Sequence, residues 1–476
     1  MRRLLLLLFI VAHQYVMGQG TSMTLMFEPL ESSNNMMWVT QRFELVKYAS
    51  TKTAISGGLE TQSAVMGDYG GFYAFGFTGG VYQYVRPWVF AHMGGSIASG
   101  GGAGAPDGDG LMYRGYAGIS AKSKYGIVDV AYNHINFPSG AITSNHISIG
   151  YTYVLPYRIE YSDHNSYYPT YFELVTGLWF LGPEDASRNS EPVQSAYAGV
   201  RVGQYLNTNH TVGGELQLGA GALGSIDGYM NYSMGLRFNT PSQRLFFRTH
   251  LGSGGGGGVY TGGGLSTMVS AGTQFGGHQF SVGQWTALSD EASIPFVSYS
   301  RHLDFKSSLG FHYKGVDYTY NDSREVALKV LAGAGQQRSP GLDRNGNPYH
   351  PMSGIAMGLG IEAWSNENFS LDAYGHTFWA ASGGYGAYAE GLFSAAFMKN
   401  EETFRYGVDL TSGIAGGGGI EVGSGLMIAP GVQVECKIGP LSNLKMNLRQ
   451  KYFPGGTYSP LYFGVELIQS LPVHLW

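Results

Sequence analysis

Two aspartates, Asp107 and Asp109, have the spacing of a cation site within the glycine-rich segment 106–110. Carboxylates two residues apart can face one cation, as they do at the start of a calcium-binding loop. The rest of the EF-hand pattern is missing, and Asp-Gly pairs are also typical of tight turns. We therefore expect a turn here, with a weak metal site at Asp107 and Asp109 as the alternative.

The glycine runs 254–258 and 416–419 could suggest phosphate-binding loops. Neither run continues into the Walker pattern with its lysine, and neither opens a helical pattern. The sequence also lacks a G-x-S-x-G nucleophile motif. It therefore predicts no catalytic residue, no cofactor and no enzymatic activity.

A third group of residues consists of polar side chains that alternate with apolar neighbours. For example, Val432, Val434 and Cys436 alternate with Gln433 and Glu435. A period of two indicates β-strands with one apolar and one polar face. If the apolar faces contact lipid, the polar faces line a lumen. The candidate lumen-lining residues are Asp129, Glu215, Gln217, Asp372, Glu435, Lys437, Lys445 and Arg449.

The charges of these candidates are mixed, whereas a strongly selective channel has a ring of one sign. A solvated interior that only satisfies the fold is therefore the alternative interpretation of this polar face.

The composition narrows the class of protein. The 476 residues include 74 Gly and one Cys, with 14% aromatic and 13% charged residues. Glycine is costly in helices, and one cysteine cannot form a disulfide scaffold. The aromatic content argues against disorder, and a net charge of −5 does not favour nucleic acid as a partner. A glycine-rich, aromatic β protein remains.

The N-terminus predicts secretion. Arg2 and Arg3 precede an apolar run from Leu4 to Ala12, and the small residue Gly18 follows. This order is typical of a cleaved signal peptide, which we assign to residues 1–18.

Glycine-rich stretches recur along the chain and predict an internal repeat. The matching glycines are Gly94, Gly177, Gly252, Gly333 and Gly413, with spacings of 83, 75, 81 and 80 residues. The turn at Phe137 also matches the turn at Phe453. We divide the chain into a short N-terminal segment (19–37), a partial repeat (38–86) and repeats 87–166, 167–244, 245–322, 323–402 and 403–476.

Each repeat reads as four strands of about 10 residues, which is the length that crosses a bilayer at a tilt. The sequence thus predicts an all-β protein in which one large transmembrane antiparallel barrel of ~20–22 strands is built from five four-stranded repeats. A secreted five-bladed β-propeller is the alternative.

The pattern resembles Gram-negative outer-membrane β-barrel proteins as a class. The C-terminal Trp476 is similar to the terminal aromatic residue of such barrels, although Pro472 interrupts the last strand. A mature chain that begins at Gln19 resembles secreted proteins of the Bacteroidota. The resemblance implies an outer-membrane location, contact with its lipid, and the barrel-assembly machinery as a partner during insertion. Only about 20 residues lie between Gln19 and Trp38, so we expect no plug domain like that of TonB-dependent receptors.

These patterns lead to three functional hypotheses. The first is a passive pore or export conduit with a polar lumen, whose mouth the glycine-rich loops would narrow. The second is a non-conducting envelope scaffold or surface-attachment component. The third is a secreted propeller that binds ligands. In a barrel with a periplasmic C-terminus, loops 254–264 and 453–460 would be extracellular, and the turns near Asn366 and Ser442 periplasmic.

Overall fold

A computed structural model describes residues 20–30, 36–124, 126–155, 166–185, 193–207, 209–223, 228–289, 292–307, 316–317, 324–342, 346–439 and 442–475. These residues form β-strands, turns and loops. No helix in this part of the chain is long and apolar enough to cross a membrane. The predicted signal peptide (1–18) and Trp476 lie outside the described residues.

The first eight strands form a closed antiparallel barrel. They are β1 (Gly20–Pro29), β2 (Met37–Tyr48), β3 (Thr53–Met66), β4 (Tyr73–Arg86), β5 (Val89–Gly101), β6 (Leu111–Lys122), β7 (Ile127–Asn136) and β8 (Thr143–Leu155). Each strand pairs with the next one along the chain. The barrel closes because β1 pairs with β8, from Thr21 opposite Leu155 to Phe27 opposite Ile149.

The second barrel follows the same plan. Its strands are β9 (Ser166–Leu181), β10 (Val193–Tyr205), β11 (Val212–Leu223), β12 (Met230–Asn239), β13 (Leu245–Gly255), β14 (Leu265–Phe275), β15 (His278–Ala287) and β16 (Ser293–Ser307). Strands β9 and β16 close this barrel, from Trp179 opposite Phe296 to Tyr168 opposite Ser307. A two-residue strand, β17 (Val316–Asp317), pairs with β9.

The third barrel completes the chain. Its strands are β18 (Arg324–Arg338), β19 (Met352–Ser365), β20 (Phe369–Ala380), β21 (Ala389–Asn400), β22 (Phe404–Gly416), β23 (Leu426–Lys437), β24 (Ser442–Gln450) and β25 (Leu461–Leu475). Strands β18 and β25 pair from Arg324 opposite Leu475 to Arg338 opposite Leu461. A short pairing of Phe305 with Leu475 also joins β16 to β25.

The single large barrel predicted from the sequence is therefore not confirmed, because the described strands close into three eight-stranded barrels. They also form barrels in place of the blades of the alternative propeller. Four described strands fall, to within one residue, in each of the predicted repeats 87–166, 167–244, 323–402 and 403–476, whereas 245–322 contains β17 in addition to β13–β16. Strands β2–β4 fall in the predicted partial repeat and β1 in segment 19–37. The repeat itself stays a prediction.

The repeated glycines show why tight closure is possible. Gly94, Gly177, Gly252, Gly333 and Gly413 lie on the first or fifth strand of a barrel. A Cβ atom at Gly333 would lie 2.1 Å from the carbonyl oxygen of Val465, and one at Gly413 would lie 2.2 Å from that of Gly391. Neighbouring backbones approach these positions too closely for a side chain, as expected in a small, strongly curved barrel.

The faces of the strands are distributed inside out relative to a water-soluble protein. On β7, Asp129 and Asn133 are buried inside the first barrel, whereas Val128, Val130 and Tyr132 are about half exposed on its outer surface. An apolar exterior with a polar interior is the arrangement of transmembrane barrels, in which the outer face contacts lipid.

The three barrels are arranged around a pseudo-threefold axis. Strand β3 contacts β13 and β14, strand β11 contacts β22, and strand β20 contacts β5. In each case the third strand of one barrel packs against the fifth strand of another. This head-to-tail contact closes after three barrels, so one chain reproduces the geometry of a cyclic trimer.

Candidate functional site

The interior of the second barrel holds a network of buried charges around Glu173 on β9. Its carboxylate accepts hydrogen bonds from Arg237 Nη1 at 2.7 Å, from Arg248 Nη2 at 2.6 Å and from Arg201 Nη1. The Nδ1 atom of His302 lies 2.8 Å from the same carboxylate. Four strands besides β9 therefore contribute side chains to one carboxylate that solvent does not reach.

The sequence-predicted candidates Glu215 and Gln217 extend this network on β11. The Glu215 carboxylate accepts hydrogen bonds from Tyr171 at 2.8 Å and Arg248 Nε at 3.1 Å. Gln217 Oε1 accepts two from Arg201, at 3.0 and 2.6 Å. Both candidates are buried, and their polar atoms form hydrogen bonds with neighbouring side chains. They therefore do not face an open lumen.

The third barrel brings together Asp372 on β20 and Glu435 on β23. Lys329 Nζ donates to Asp372 at 2.7 Å. Arg405 donates to Asp372 at 2.8 Å and to Glu435 at 3.1 Å. The hydroxyl of Tyr374 lies 2.9 Å from an oxygen of each carboxylate. These side chains cross the barrel interior from one wall to another.

The remaining candidates of this barrel have different positions. Lys445 Nζ lies 3.3 Å from Glu466, and Arg449 Nε donates to Asp409 at 2.6 Å. All four of these side chains are buried. Lys437 is the last residue of β23 and is exposed at the end of the strand, so it lies outside the packed interior.

The first barrel contains the candidate Asp129 on β7. Its carboxylate accepts hydrogen bonds from Thr152 Oγ1 at 2.6 Å and from Ser120. The Nε2 atom of His92 is 3.8 Å away. Asp129 is therefore fixed against the wall of the barrel.

The main ionic cluster of the first barrel is formed by residues that the sequence analysis did not select. Glu60 lies between Arg42 Nε at 2.7 Å and Arg114 Nη1 at 3.2 Å, and Arg114 also contacts Glu28. Glu173 and its arginine partners in the second barrel were also not among the candidates predicted from the sequence. Glu173 and Arg237 lie between apolar neighbours, so alternation indicates their inward face, whereas Glu60 is followed by Thr61 and has a weaker pattern. Several of their partners come from distant strands.

The aspartates Asp107 and Asp109 lie in the loop between β5 and β6. Asp107 Oδ2 accepts a hydrogen bond from Gly102 N at 3.0 Å, within its own loop. Asp109 Oδ1 accepts one from Gly384 N at 2.5 Å, in a loop of the third barrel. The two carboxylates therefore bond in different directions. Among the described residues, no three His, Cys, Asp or Glu side chains form a group that could hold a metal ion.

Burial also changes the acidity of the Asp107 carboxyl. Removal from water raises its pKa from 3.8 to about 6, although hydrogen bonds from the backbone of Gly102 and Asp107 oppose this rise. In the folded protein, the Asp107 carboxyl therefore titrates near pH 6.

In each barrel, one loop of nine residues follows the fifth strand. These three loops are 102–110, 256–264 and 417–425. They share one hydrogen-bond pattern, in which the nitrogens of Ala105, Val259 and Ile420 donate to the carbonyl groups three residues earlier. The first three residues of each loop have positive φ angles, including Ala103 at 52°. The Gly-rich runs therefore form a repeated left-handed turn, and they do not precede a helix.

These loops lie where the barrels meet. Gly70 N donates to Gly262 O at 2.8 Å, and Ser253 Oγ donates to Ala64 O at 2.6 Å, so the first and second barrels are joined. Ser99 Oγ donates to the backbone carbonyl of Ala380 and so joins the first barrel to the third. At both junctions, glycine and serine residues allow the backbones of neighbouring barrels to approach within hydrogen-bonding distance.

No protein-family model matches the sequence, and no curated protein matches it. Among solved structures, the siderophore receptor PirA from Pseudomonas aeruginosa aligns with 10% identity and a TM-score of 0.28, over 95% of this chain and 79% of that one. A bacterial polysaccharide outer-membrane secretin aligns with 8% identity and a TM-score of 0.23, over 96% and 99%. OprB from Pseudomonas putida aligns with 8% identity and a TM-score of 0.20, over 64% and 94%. Similarity at this level gives no basis for assigning a family or an activity.

Proposed function

We propose that this protein is a non-conducting scaffold of the outer membrane, made of three filled barrels in one chain. The observation that carries this proposal is the packing of each barrel interior by buried charged side chains that bind one another. Glu173 with its three arginines is the clearest example.

The size of the barrels supports this function. An eight-stranded barrel has an interior just wide enough for its own side chains, whereas porins with an aqueous channel have about 16–18 strands. Passage of a solute through the second barrel would require separation of Glu173 from Arg237 and Arg248, which are 2.7 and 2.6 Å away. We therefore favour the scaffold over the passive pore or export conduit.

The location is inferred from the outer surface. Apolar residues such as Val130, Ile147 and Val282 are exposed on the barrel exteriors. In water such surfaces would promote aggregation, but in a bilayer they contact acyl chains. The partners of this function are therefore membrane lipid and, during insertion, the barrel-assembly machinery that the resemblance implies.

The test measures folding and conductance on the same preparation. Protein refolded into lipid vesicles should migrate faster on gels before boiling than after, which reports a folded barrel. In planar bilayers, this folded protein should give no single-channel current under conditions in which an added porin conducts. Reproducible channels from the folded protein would overturn the scaffold proposal and favour the pore.

A further inference from the structure

The fourth strand of each barrel faces the pseudo-threefold axis. Equivalent positions are defined by a repeated hydrogen bond, in which the carbonyl oxygens of Phe72, Tyr229 and Tyr388 accept from the end of the preceding strand. The residues that follow are Tyr73, Met230 and Ala389, which begin β4, β12 and β21.

These three residues belong to one apolar cluster together with side chains from all three barrels, including Phe75, Ile355, Met357 and Trp379. The rings of Phe75 and Trp379 stack with their centroids 4.4 Å apart. The barrels are therefore in direct contact on the axis at the end that carries the glycine-rich loops.

Eight residues further along the same strands, the barrels no longer cover one another. The equivalent residues are Val81, Phe238 and Phe397, and they lie on the same outward face because side chains alternate with a period of two. Their exposed fractions are 41%, 40% and 48%, compared with 2% for Tyr73. The three barrels thus diverge and leave a three-sided apolar space on the axis, which we call the axial funnel.

The depth of the axial funnel follows from strand geometry. The apolar cluster extends along β4 from Tyr73 to Phe77, so the open part begins beyond Phe77 and includes Val81, four residues further on. Four residues at about 3.3 Å each span about 13 Å along the strand. With a strand tilt of about 40°, this corresponds to a depth of about 10 Å. One leaflet of a bilayer contributes about 15 Å of hydrocarbon, half of the total of about 30 Å, so the axial funnel extends through about two thirds of one leaflet.

The narrow end of the axial funnel is closed by the apolar cluster and by the hydrogen-bonded loops of the junction. Its wide end lies on the side of the short turns, such as the turn of Pro87 and Trp88 between β4 and β5. Short turns are periplasmic in barrels of this kind, so the funnel opens toward the inner leaflet.

We propose that the axial funnel binds the acyl chains of phospholipids that enter from this one leaflet. The inference rests on the proposed membrane insertion. Water would be unfavourable against walls of Val81, Phe238 and Phe397, and the barrels themselves leave these side chains exposed. The exposed residues Arg86, at the end of β4, and Arg244, in the turn before β13, lie on the same side of the barrels as the wide end, where a cationic group suits a lipid phosphate.

The test uses spin labels on a Cys436→Ser background, in vesicles of phosphatidylethanolamine and phosphatidylglycerol. Labels at Val81→Cys and Phe397→Cys report on the axial funnel. A label at Val282→Cys on β15 reports on the outer lipid-facing surface, and one at Asn366→Cys on an exposed turn. Collision rates with oxygen, which is enriched in lipid, and with a water-soluble nickel complex are then compared.

Both funnel labels should collide with oxygen as often as the Val282 label does, and at least tenfold less often with the nickel complex than the Asn366 label does. Frequent collisions with the nickel complex would show a water-filled space, and few collisions with either reagent would show barrels packed together. If the Val282 label is in lipid, either result would overturn the lipid-filled axial funnel but leave the proposed membrane insertion intact. If the Val282 label is also exposed to water, membrane insertion and the proposed function fail as well.

Discussion

Replacement of Glu173 by glutamine is the most direct test of the packed interior. The substitution keeps the size of the side chain but removes the negative charge that faces Arg201, Arg237 and Arg248. Glu215 remains as a carboxylate partner of Arg201 and Arg248, but no salt bridge joins Arg237 to it among the described residues. One buried guanidinium group thus loses its ionic partner.

The magnitude follows from the burial of both partners. Glu173 and Arg237 are fully buried, and removal of one member of a buried ion pair costs about 3–5 kcal/mol. The neutral oxygen of glutamine still accepts a hydrogen bond, so we expect a loss near 3 kcal/mol. With a urea dependence of about 1–3 kcal/mol per M, the unfolding midpoint should fall by about 1–3 M.

The assay is urea unfolding of vesicle-bound protein followed by tryptophan fluorescence, because Trp179 and Trp285 are buried in the same barrel. Glu367→Gln in the exposed turn between β19 and β20 is the matched control, and should change stability by less than about 0.5 kcal/mol. A Glu173→Gln protein as stable as this control would show that the interior charges are hydrated, and would refute the filled-barrel argument.

Two further substitutions test the strand geometry and the loop. Gly94→Ala places a Cβ atom 2.4 Å from Gly79 O and should lower the free energy of unfolding by about 1–3 kcal/mol. The control is Gly115→Ala on β6, where the added Cβ atom meets no atom within 4 Å. Equal urea midpoints for the two variants would contradict the tight-curvature explanation. The raised pKa of Asp107, about 6 against 3.8, means that the folded state retains a proton that the unfolded state has lost. Stability should therefore fall by up to about 3 kcal/mol between pH 4 and 6 and stay level above that range. Asp107→Asn should lack this component when its urea midpoints are compared with wild type, and identical pH profiles would exclude the assignment.

The sequence contains enough local information to predict the strands and their two faces. In residues 432–437, alternation separates Gln433 and Glu435, which are buried inside the third barrel, from Val432, which is exposed outside. The same alternation extends to Lys437, whose position at the end of β23 leaves it in solvent. A period-two pattern does not report where a strand leaves the barrel wall.

The closure of the barrels could not be predicted in this way. Pairing of Thr21 with Leu155 joins residues more than 130 positions apart. The sequence pattern of neither strand distinguishes this partner from the next strand along the chain. The recurring glycines predict a repeat of about 80 residues, but this spacing does not indicate that eight strands close one barrel. Partners of buried charges, such as Arg237 for Glu173, depend on the same closure.

The incomplete contact between barrels gives a reason for joining them in one chain. On the axis, the described contacts lie at the loop end, and the hydrogen bonds there involve few side chains, such as Ser99, Ser253 and Asp109. At the opposite end, β16 of the second barrel pairs with β25 of the third through Phe305 and Lys306. In a bilayer, apolar burial gives little preference for barrel–barrel over barrel–lipid contact, so association depends on packing and hydrogen bonds. A covalent connection makes association intramolecular, at an effective concentration in the millimolar range. It also allows the three junctions to differ. At the junction of the first and third barrels, Asp109 accepts a hydrogen bond from Gly384, whereas at the junction of the second and first barrels the corresponding loop contributes Gly262 and Gly263. The chain can thus hold open an axial funnel that separate barrels with so small a contact would not maintain.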